Sequence, residues 1–351
     1  MFDYNWSLKD YPKKGKYAVF GAFLCGGGST MGYKLAGYNH IGGIELDPKI
    51  AAVYKKNHKP KYLYNEDIRA FNKRKDLPEE LFDLDILDGS PPCTTFSTAG
   101  NREKTWGKEK KFAEGQKLQR LDDLVFVYCD TIKKLKPKVC ILENVSGIIK
   151  GNAKWYSKKI IEYLEKAGYK VQVFLLDAAT MGVPQKRQRV FFIGRKKELN
   201  WTDLKLNFNE KPVYFSEIMD REDTNRDLSD YYYSLWEQRK PSDSCYADIV
   251  KRVEKKYKLF SHQIIKSNKV ANTLTSNLRD LILYDIPRSP NQKELLKISA
   301  FPYDYDFCGQ NLTFIMGMSI PPVMMARISE QIRLQWLDKK PKIGEETAKS
   351  E

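Results

Sequence analysis

Short apolar runs alternate with stretches of helical spacing along the first 195 residues. Residues 17–24 form an apolar run that breaks into glycines, and a second run at 41–46 is followed by helical spacing over 50–57. Residues 84–87 predict a short buried strand that ends in Asp88-Gly89-Ser90-Pro91-Pro92. A helix is expected over 121–135, a buried strand over 139–142 and a second helix over 155–167. Two more strands follow, at 171–176 and at 189–193, the latter closing on Gly194. Strands separated by helices predict an α/β, Rossmann-like fold with a mostly parallel sheet and helices on both faces. Past Arg195 the rhythm stops, apolar positions thin out and tyrosines cluster at Tyr231, Tyr232 and Tyr233. A large domain is therefore expected over 1–194 and a smaller one over 195–310. Residues 311–337 return to the large domain with a helix over 322–337, and 338–351 read as a disordered polar tail.

Composition adds a partner class. The chain has 60 basic and 45 acidic residues, a formal charge of +15, which suits a polyanion such as nucleic acid. Six cysteines include no C-x-x-C pair, and with three histidines they predict neither a structural zinc site nor any other metal centre. A chain of 351 residues needs no disulfides, and no apolar run of about 18 residues is evident, so a cytoplasmic, reduced protein is expected.

The glycine-rich stretch from Phe23 through Gly26, Gly27 and Gly28 to Gly32 follows a strand and opens a helix. Glycines let the backbone turn tightly and approach a ligand whose polar part meets the helix N-terminus. Glu45 ends the second strand, where a carboxylate can accept from ribose hydroxyls, and Asp67 closes the next turn, placed for an adenine amine. Together they point to an adenosine-containing cofactor, either a dinucleotide or S-adenosylmethionine.

Gly89-Ser90-Pro91-Pro92-Cys93-Thr94-Thr95-Phe96-Ser97 directly follows a buried strand, the position where open α/β sheets bind ligands. Two prolines fix that turn and aim the Cys93 thiol into the crevice as a poised nucleophile, whereas Cys129 and Cys140 read as inert core residues. Glu143, in Glu143-Asn144-Val145, ends the next strand and faces the same crevice. Before the last strand, period-two spacing places Arg187 and Arg189 on one face, suited to phosphate or carbonyl groups.

These segments, in this order, resemble the motifs of the cytosine-5 DNA methyltransferases of bacteria and phages. Phe23 through Gly37 is similar to the family's opening F-A-G-x-G-G motif, and Pro92 through Ser97 to its P-C-Q-x-F-S motif with Thr94 for glutamine. E-N-V and Q-x-R-x-R are matched residue for residue, Ala271 to Thr275 and Phe301-Pro302 resemble the later motifs, and Gly317 to Pro322 the closing G-N-S/A-V-P-P. The likeness covers residues 17–337. Cys25 stands where the family has glycine and Met318 where it has asparagine, and the stretch after Cys93 is unusually basic.

The resemblance implies a methyl transfer from S-adenosylmethionine to C5 of a flipped-out cytosine in duplex DNA. Cys93 would attack C6, Glu143 would hold and protonate N3, and Arg189, beside Arg187, would donate to O2. Phe23, Gly26, Gly27, Gly28, Glu45, Asp67, Ile68, Pro92, Leu124 and Ser319 would line the cofactor site. Ser97, Arg102, Lys104, Lys108 and Thr273 would contact DNA, and residues 195–310 would hold the target-recognition region. The implied partner is double-stranded DNA, with room for a cognate restriction enzyme, no membrane and a monomeric chain. An RNA methyltransferase, a non-catalytic DNA-binding relative and a nicotinamide dehydrogenase are the rival readings. The dehydrogenase accounts for the glycines but not for Pro-Pro-Cys or E-N-V.

Overall fold

The computed structural model describes residues 2–92, 124–276 and 281–339. The apolar runs become strands β1 (Ala18–Ala22), β2 (Asn39–Ile44), β3 (Tyr62–Tyr64), β4 (Ile86–Gly89), β5 (Val139–Val145), β6 (Tyr169–Asp177) and β7 (Gln188–Lys196). Between them lie helices α1 (Gly28–Leu35), α2 (Pro48–His58), α3 (Ile68–Lys73), α4 (Leu124–Leu135) and α5 (Lys154–Lys166). The seven strands form one sheet in the order β3-β2-β1-β4-β5-β7-β6. Strands β1 to β5 pair in parallel, and β7 runs antiparallel to both β5 and β6. The order reverses at β1, with β2 on one side and β4 on the other, which opens a crevice at the C-terminal ends of those strands. The antiparallel β7 begins where β5 ends, with Arg189 opposite Val145, so its first residues share that edge.

Alternation sorts the strand residues onto two faces. Val19, Ile86, Ile141, Phe191 and Ile193 pack under α1 and the last helix, α11 (Pro322–Ile332). Phe20, Leu87, Cys140, Leu142, Val190 and Phe192 pack under α4 and α5. Gly32 makes the first layer tight, because a Cβ there would come within 2.5 Å of Met325 Cβ on α11. The helix starts follow local chemistry: Asp47 accepts from the Lys49 and Ile50 amides with Pro48 at the first position, and Asp67 caps α3. Strand β3 escapes the sequence reading because its three residues are half-buried and too short for a period to show.

The chain does not leave the large sheet at residue 195. Leu204 and Leu206 are buried in the core that holds α11, and Trp201 stacks on Trp336 at 5.7 Å. Beyond them come α6 (Phe215–Ile218), α7 (Asp230–Glu237), α8 (Tyr246–Glu254), β8 (Gln263–Ile265), β9 (Leu281–Leu283), α9 (Gln292–Ser299) and α10 (Leu312–Met318). Strands β8 and β9 pair in parallel and, with α7 and α8, bury Leu235, Tyr246, Ile249, Val250, Ile264 and Ile282. A further core joins this part to the cofactor end of the sheet, combining Met31, Ile50 and Val53 with Phe215, Ile265, Leu281, Phe301 and Ile315. Within it the Arg288 guanidinium donates to Glu294 at 2.7 and 3.0 Å, with side chains 2% and 0% exposed.

One stretch, Leu312–Leu337, is long and apolar enough by composition to cross a membrane, contrary to the expectation of no such run. In this fold it is α10, a break at Ser319 to Pro321, α11 and a π-helical turn, and 72% of its most apolar window is buried inside the protein.

Candidate active site

The crevice edge is built from the ends of five strands. After β1 the chain passes Phe23 and Cys25 in left-handed conformations, at φ 59° and 47°, before Gly27 at φ 78° begins α1. The family's usual residue at position 25 is glycine, and the positive φ of Cys25 supplies the reason; a non-glycine there carries strain of about 1 kcal/mol. Three contacts hold the strained peptide. The Cys25 amide donates to Glu45 Oε2 at 2.8 Å, and the Gly26 carbonyl accepts from the Tyr305 hydroxyl at 2.6 Å and meets His58 Nε2 at 3.1 Å. Burial pushes His58 down to about 3, so the ring is neutral and Nε2 carries the donated proton. Burial likewise pushes the Cys25 thiol up to about 12, which leaves it unreactive.

An adenosyl cofactor with a charged amino-acid end fits these groups. Gly27 caps α1 without a side chain, so the first amides of the helix point unclaimed into the crevice. Ser319 Oγ is buried beside the Gly26 Cα and the weakly bonding Cys25 thiol and makes no well-formed hydrogen bond. Glu45 is raised above the usual carboxylate range by burial, while its two oxygens accept from the Cys25 and Asp47 amides. Each oxygen keeps a lone pair for a ribose hydroxyl. Asp67 is paired with Arg69 at 3.2 Å, and Ile68 and Leu124 are buried on the α4 side with Phe23 packed against them.

On the other side of the crevice, Glu143 and Arg189 meet, with Arg189 Nε at 3.1 Å from Glu143 Oε1. Both belong to the sheet face under α1 and α11, because Glu143 pairs with Phe191 across the β5–β7 ladder. Burial raises the Glu143 carboxyl above its usual range, against the lowering effect of Arg189, Arg187 and a hydrogen bond from Ser90. The neighbouring Asn144 donates Nδ2–H to the Pro91 carbonyl at 3.3 Å and holds the Pro91-Pro92 turn against β5. Cys93, Ser97, Arg102, Lys104 and Lys108 lie outside the described residues. The Pro91-Pro92 turn is thus tied to the strand that carries Glu143.

Arg187 departs from the expected role. It is 2% exposed, and its two amino groups donate to the Leu274 carbonyl at 3.1 Å and the Gly317 carbonyl at 2.8 Å. Alternation did not give its depth, and the side chain spends these donors on backbone carbonyls that brace the site. Thr273, expected at a phosphate, donates its hydroxyl to the Lys186 carbonyl at 2.5 Å, which brings that segment to the same edge. Met318, where the family has asparagine, ends α10 and is 40% exposed.

The sequence reading missed Asp88, Asn144, His58 and Tyr305. Asp88 is buried on β4 and accepts from the Tyr33 hydroxyl at 3.3 Å; burial pushes it up to about 7. An aspartate inside an apolar strand was the available signal for it. His58 and Tyr305 lie far apart in sequence and carried none. Among the described residues, no group of three His, Cys, Asp or Glu side chains could hold a metal ion.

Comparison with known proteins agrees with this architecture. The family model for C-5 cytosine-specific DNA methylase matches residues 23–334. Type II methyltransferase M.DdeI of Desulfomicrobium norvegicum is 37% identical over 175 residues, which are 49% of this chain and 39% of that protein. M1.HphI of Haemophilus parahaemolyticus is 25% identical over 339 residues, 88% of this chain and 85% of its own. The chain thus spans well under two thirds of some curated relatives and most of others. The crystal structure of a Spodoptera frugiperda DNMT2 mutant shares the fold at a TM-score of 0.60 and 16% identity, covering 90% of this chain and 99% of that one. Proteins of this family use S-adenosylmethionine, the cofactor the crevice fits. A match running from the cofactor loop to the turn that ends α11 leaves one assignment, and the chain belongs to the C-5 cytosine-specific DNA methylase family.

Proposed function

We propose that this chain methylates C5 of a cytosine flipped out of a specific duplex DNA sequence, through a covalent bond between Cys93 and C6. The observation that carries the reading is Glu143: a buried carboxyl, raised by desolvation, paired with Arg189 and tied through Asn144 to the turn before Cys93. Cytosine C5 is a poor nucleophile until a group adds at C6. Attack by the Cys93 thiolate forms the C6–S bond and pushes electron density toward N3. A protonated Glu143 meets that density at N3, so charge does not build up on the ring. Arg189 supports the carboxyl and would share a donor with the cytosine O2. The Pro91 carbonyl keeps a second lone pair beside the one Asn144 occupies and is free to accept from the exocyclic amine.

Bound in the crevice, S-adenosylmethionine supplies the electrophilic methyl group. Glu45 and Asp67 hold its adenosine end, while the α1 amides and Ser319 take its amino-acid end. Loss of the C5 proton and elimination of the Cys93 sulfur then release the methylated base. Duplex DNA buries the target atoms, so the base must leave the stack at a cost of about a few kcal/mol. Arg102, Lys104 and Lys108 are proposed to neutralise phosphates during that step. The small domain is proposed as the region that reads the target bases.

Bisulfite sequencing of duplex DNA incubated with the protein and S-adenosylmethionine tests the reading. Protected cytosines should fall within one recurring short sequence. Absence of protection in DNA, with methylation of tRNA instead, would transfer the assignment to the RNA-acting alternative.

A further inference from the structure

Residues 255–262 connect α8 to β8, and two aromatic rings project from them. Tyr257 is 70% exposed and Phe260 52% exposed, with ring centroids 5.1 Å apart. Single exposed rings are ordinary, but an exposed pair in contact is an apolar patch in want of a cover. Lys255 ends α8 as a left-handed C-cap, and within the turn the backbone is strained at Leu259, which adopts φ of 65° without being glycine. Strain of this kind persists where the surrounding structure enforces it, often at a ligand contact.

Hydrogen bonds tie the turn to the catalytic edge. Gln263 donates Nε2–H to the Phe260 carbonyl at 2.9 Å, and its Oε1 accepts from Asn272 at 3.4 Å. Asn272 adjoins Thr273, whose hydroxyl reaches the Lys186 carbonyl three residues before Arg189. The Lys186 amide also donates to the Ala271 carbonyl at 2.8 Å, so the link is made twice. Charge supplies the kind of partner. Residues 251–258 hold five basic side chains and one acid, and Lys251 Nζ lies 5.3 Å from the Tyr257 ring centre. Glu254 pairs with Lys258 at 3.1 Å and with Lys256 at 3.9 Å, and Asp243 pairs with Arg252, which offsets part of that charge, while Lys255 and Lys256 stay exposed.

We propose that Tyr257 and Phe260 are an aromatic wedge that packs against the bases left unstacked when the target cytosine leaves the duplex, with the neighbouring lysines on the flanking phosphates. The inference rests on the methyl-transfer reading above and adds the residues that support the opened duplex. Apolar side chains placed at unstacked base steps offset part of the lost stacking, and lysines beside them find phosphates at the spacing of the backbone. A wedge with this role matters most when the target base is paired and stacked, and least when it is already loose.

The test compares single-turnover methylation by wild type and by the Tyr257→Ala/Phe260→Ala double variant on two duplexes. One carries the target cytosine paired with guanine, and the other places it opposite an abasic site. The variant should lose about tenfold to a hundredfold on the paired duplex, the range set by ring–base stacking. Most of that loss should vanish on the abasic duplex, with cofactor affinity and melting temperature unchanged because both rings are exposed. Wild-type rates for the variant on the paired duplex would overturn the proposal, as would an equal loss on both duplexes. A wild-type protein inactive on both duplexes would instead sink the methyl-transfer reading itself.

Discussion

Among the described residues, Arg288 and Arg189 each pair with a buried glutamate, Glu294 and Glu143, and the two pairs are satisfied to different degrees. Arg288 and Glu294 form a two-armed pair, and the arginine also donates to the backbone carbonyls of Asp220, Asp223 and Ser289. Glu294 in turn accepts from the Asp220 and Asn291 amides, so both carboxyl oxygens are fully employed. Arg189 Nε meets Glu143 at 3.1 Å at the crevice edge, where Arg189 donates otherwise to the Gln188 carbonyl at 2.8 Å and Glu143 accepts from Ser90, and burial leaves the carboxyl raised. A satisfied pair fixes structure, whereas an under-satisfied one holds a proton and a donor ready for a substrate. Under the proposed mechanism, the same two residue types serve as a rivet in one region and as a reactive group in the other.

Replacing the acid in each pair should separate these roles. Glu143→Gln keeps an acceptor for Arg189 but removes the proton, and a loss of about 10²–10⁴-fold in single-turnover rate is expected. Its melting temperature should stay near wild type, and an unchanged rate would make Glu143 a structural acid only. Glu294→Ala should do the opposite. Stranding the buried Arg288 should cost about 3–5 kcal/mol of stability in denaturant titrations, while any protein that remains folded should turn over near the wild-type rate.

The difference between the pairs also shows what sequence can carry. The residues at strand ends, Glu45, Glu143 and Arg189, were legible because strand periodicity and motif order place them on one edge. Depth was not legible. Arg187 shares its spacing with Arg189, yet its donors are spent on the Leu274 and Gly317 carbonyls, which are distant in sequence. The elements past residue 196 show no βα rhythm in the sequence because the strands there are three residues long and their core is assembled from separated pieces. The positive φ of Cys25 was half-legible, as a departure from glycine, but the contacts that hold it come from Glu45, His58 and Tyr305.

Asp88 extends the comparison to a buried acid with no cationic partner in contact among the described residues. Burial raises its folded-state pKa to about 7, above the ordinary 3.8, so the folded chain holds that proton more tightly than the unfolded chain does. The stabilisation is complete below the unfolded value and is lost as pH rises through about 7. Urea titrations should therefore show wild type losing up to roughly 4 kcal/mol relative to Asp88→Asn between acid and neutral pH. Parallel pH curves for the two proteins would mean that Asp88 titrates in the folded chain as it does in the unfolded one.

The smallest effect is expected at Tyr305. Tyr305→Phe removes one donor from the Gly26 carbonyl and leaves His58 in place. A hydrogen bond of this kind contributes about 1 kcal/mol, so KM for S-adenosylmethionine should rise by about fivefold with kcat little changed. A fall in kcat at constant KM would show that the clamp acts on the chemistry and not on the cofactor loop.

The central claim is that Cys93 bonds to C6 of a cytosine in DNA. Duplex DNA with 5-fluorocytosine at the target site tests it directly, since the fluorine cannot leave as the C5 proton does and the bond to sulfur cannot be released. Wild-type protein with S-adenosylmethionine should form a protein–DNA adduct that survives a denaturing gel, and so should Cys129→Ala and Cys140→Ala. Cys93→Ala should form none. An adduct that persists in Cys93→Ala, or its absence in wild type on DNA that the protein methylates, would contradict the account.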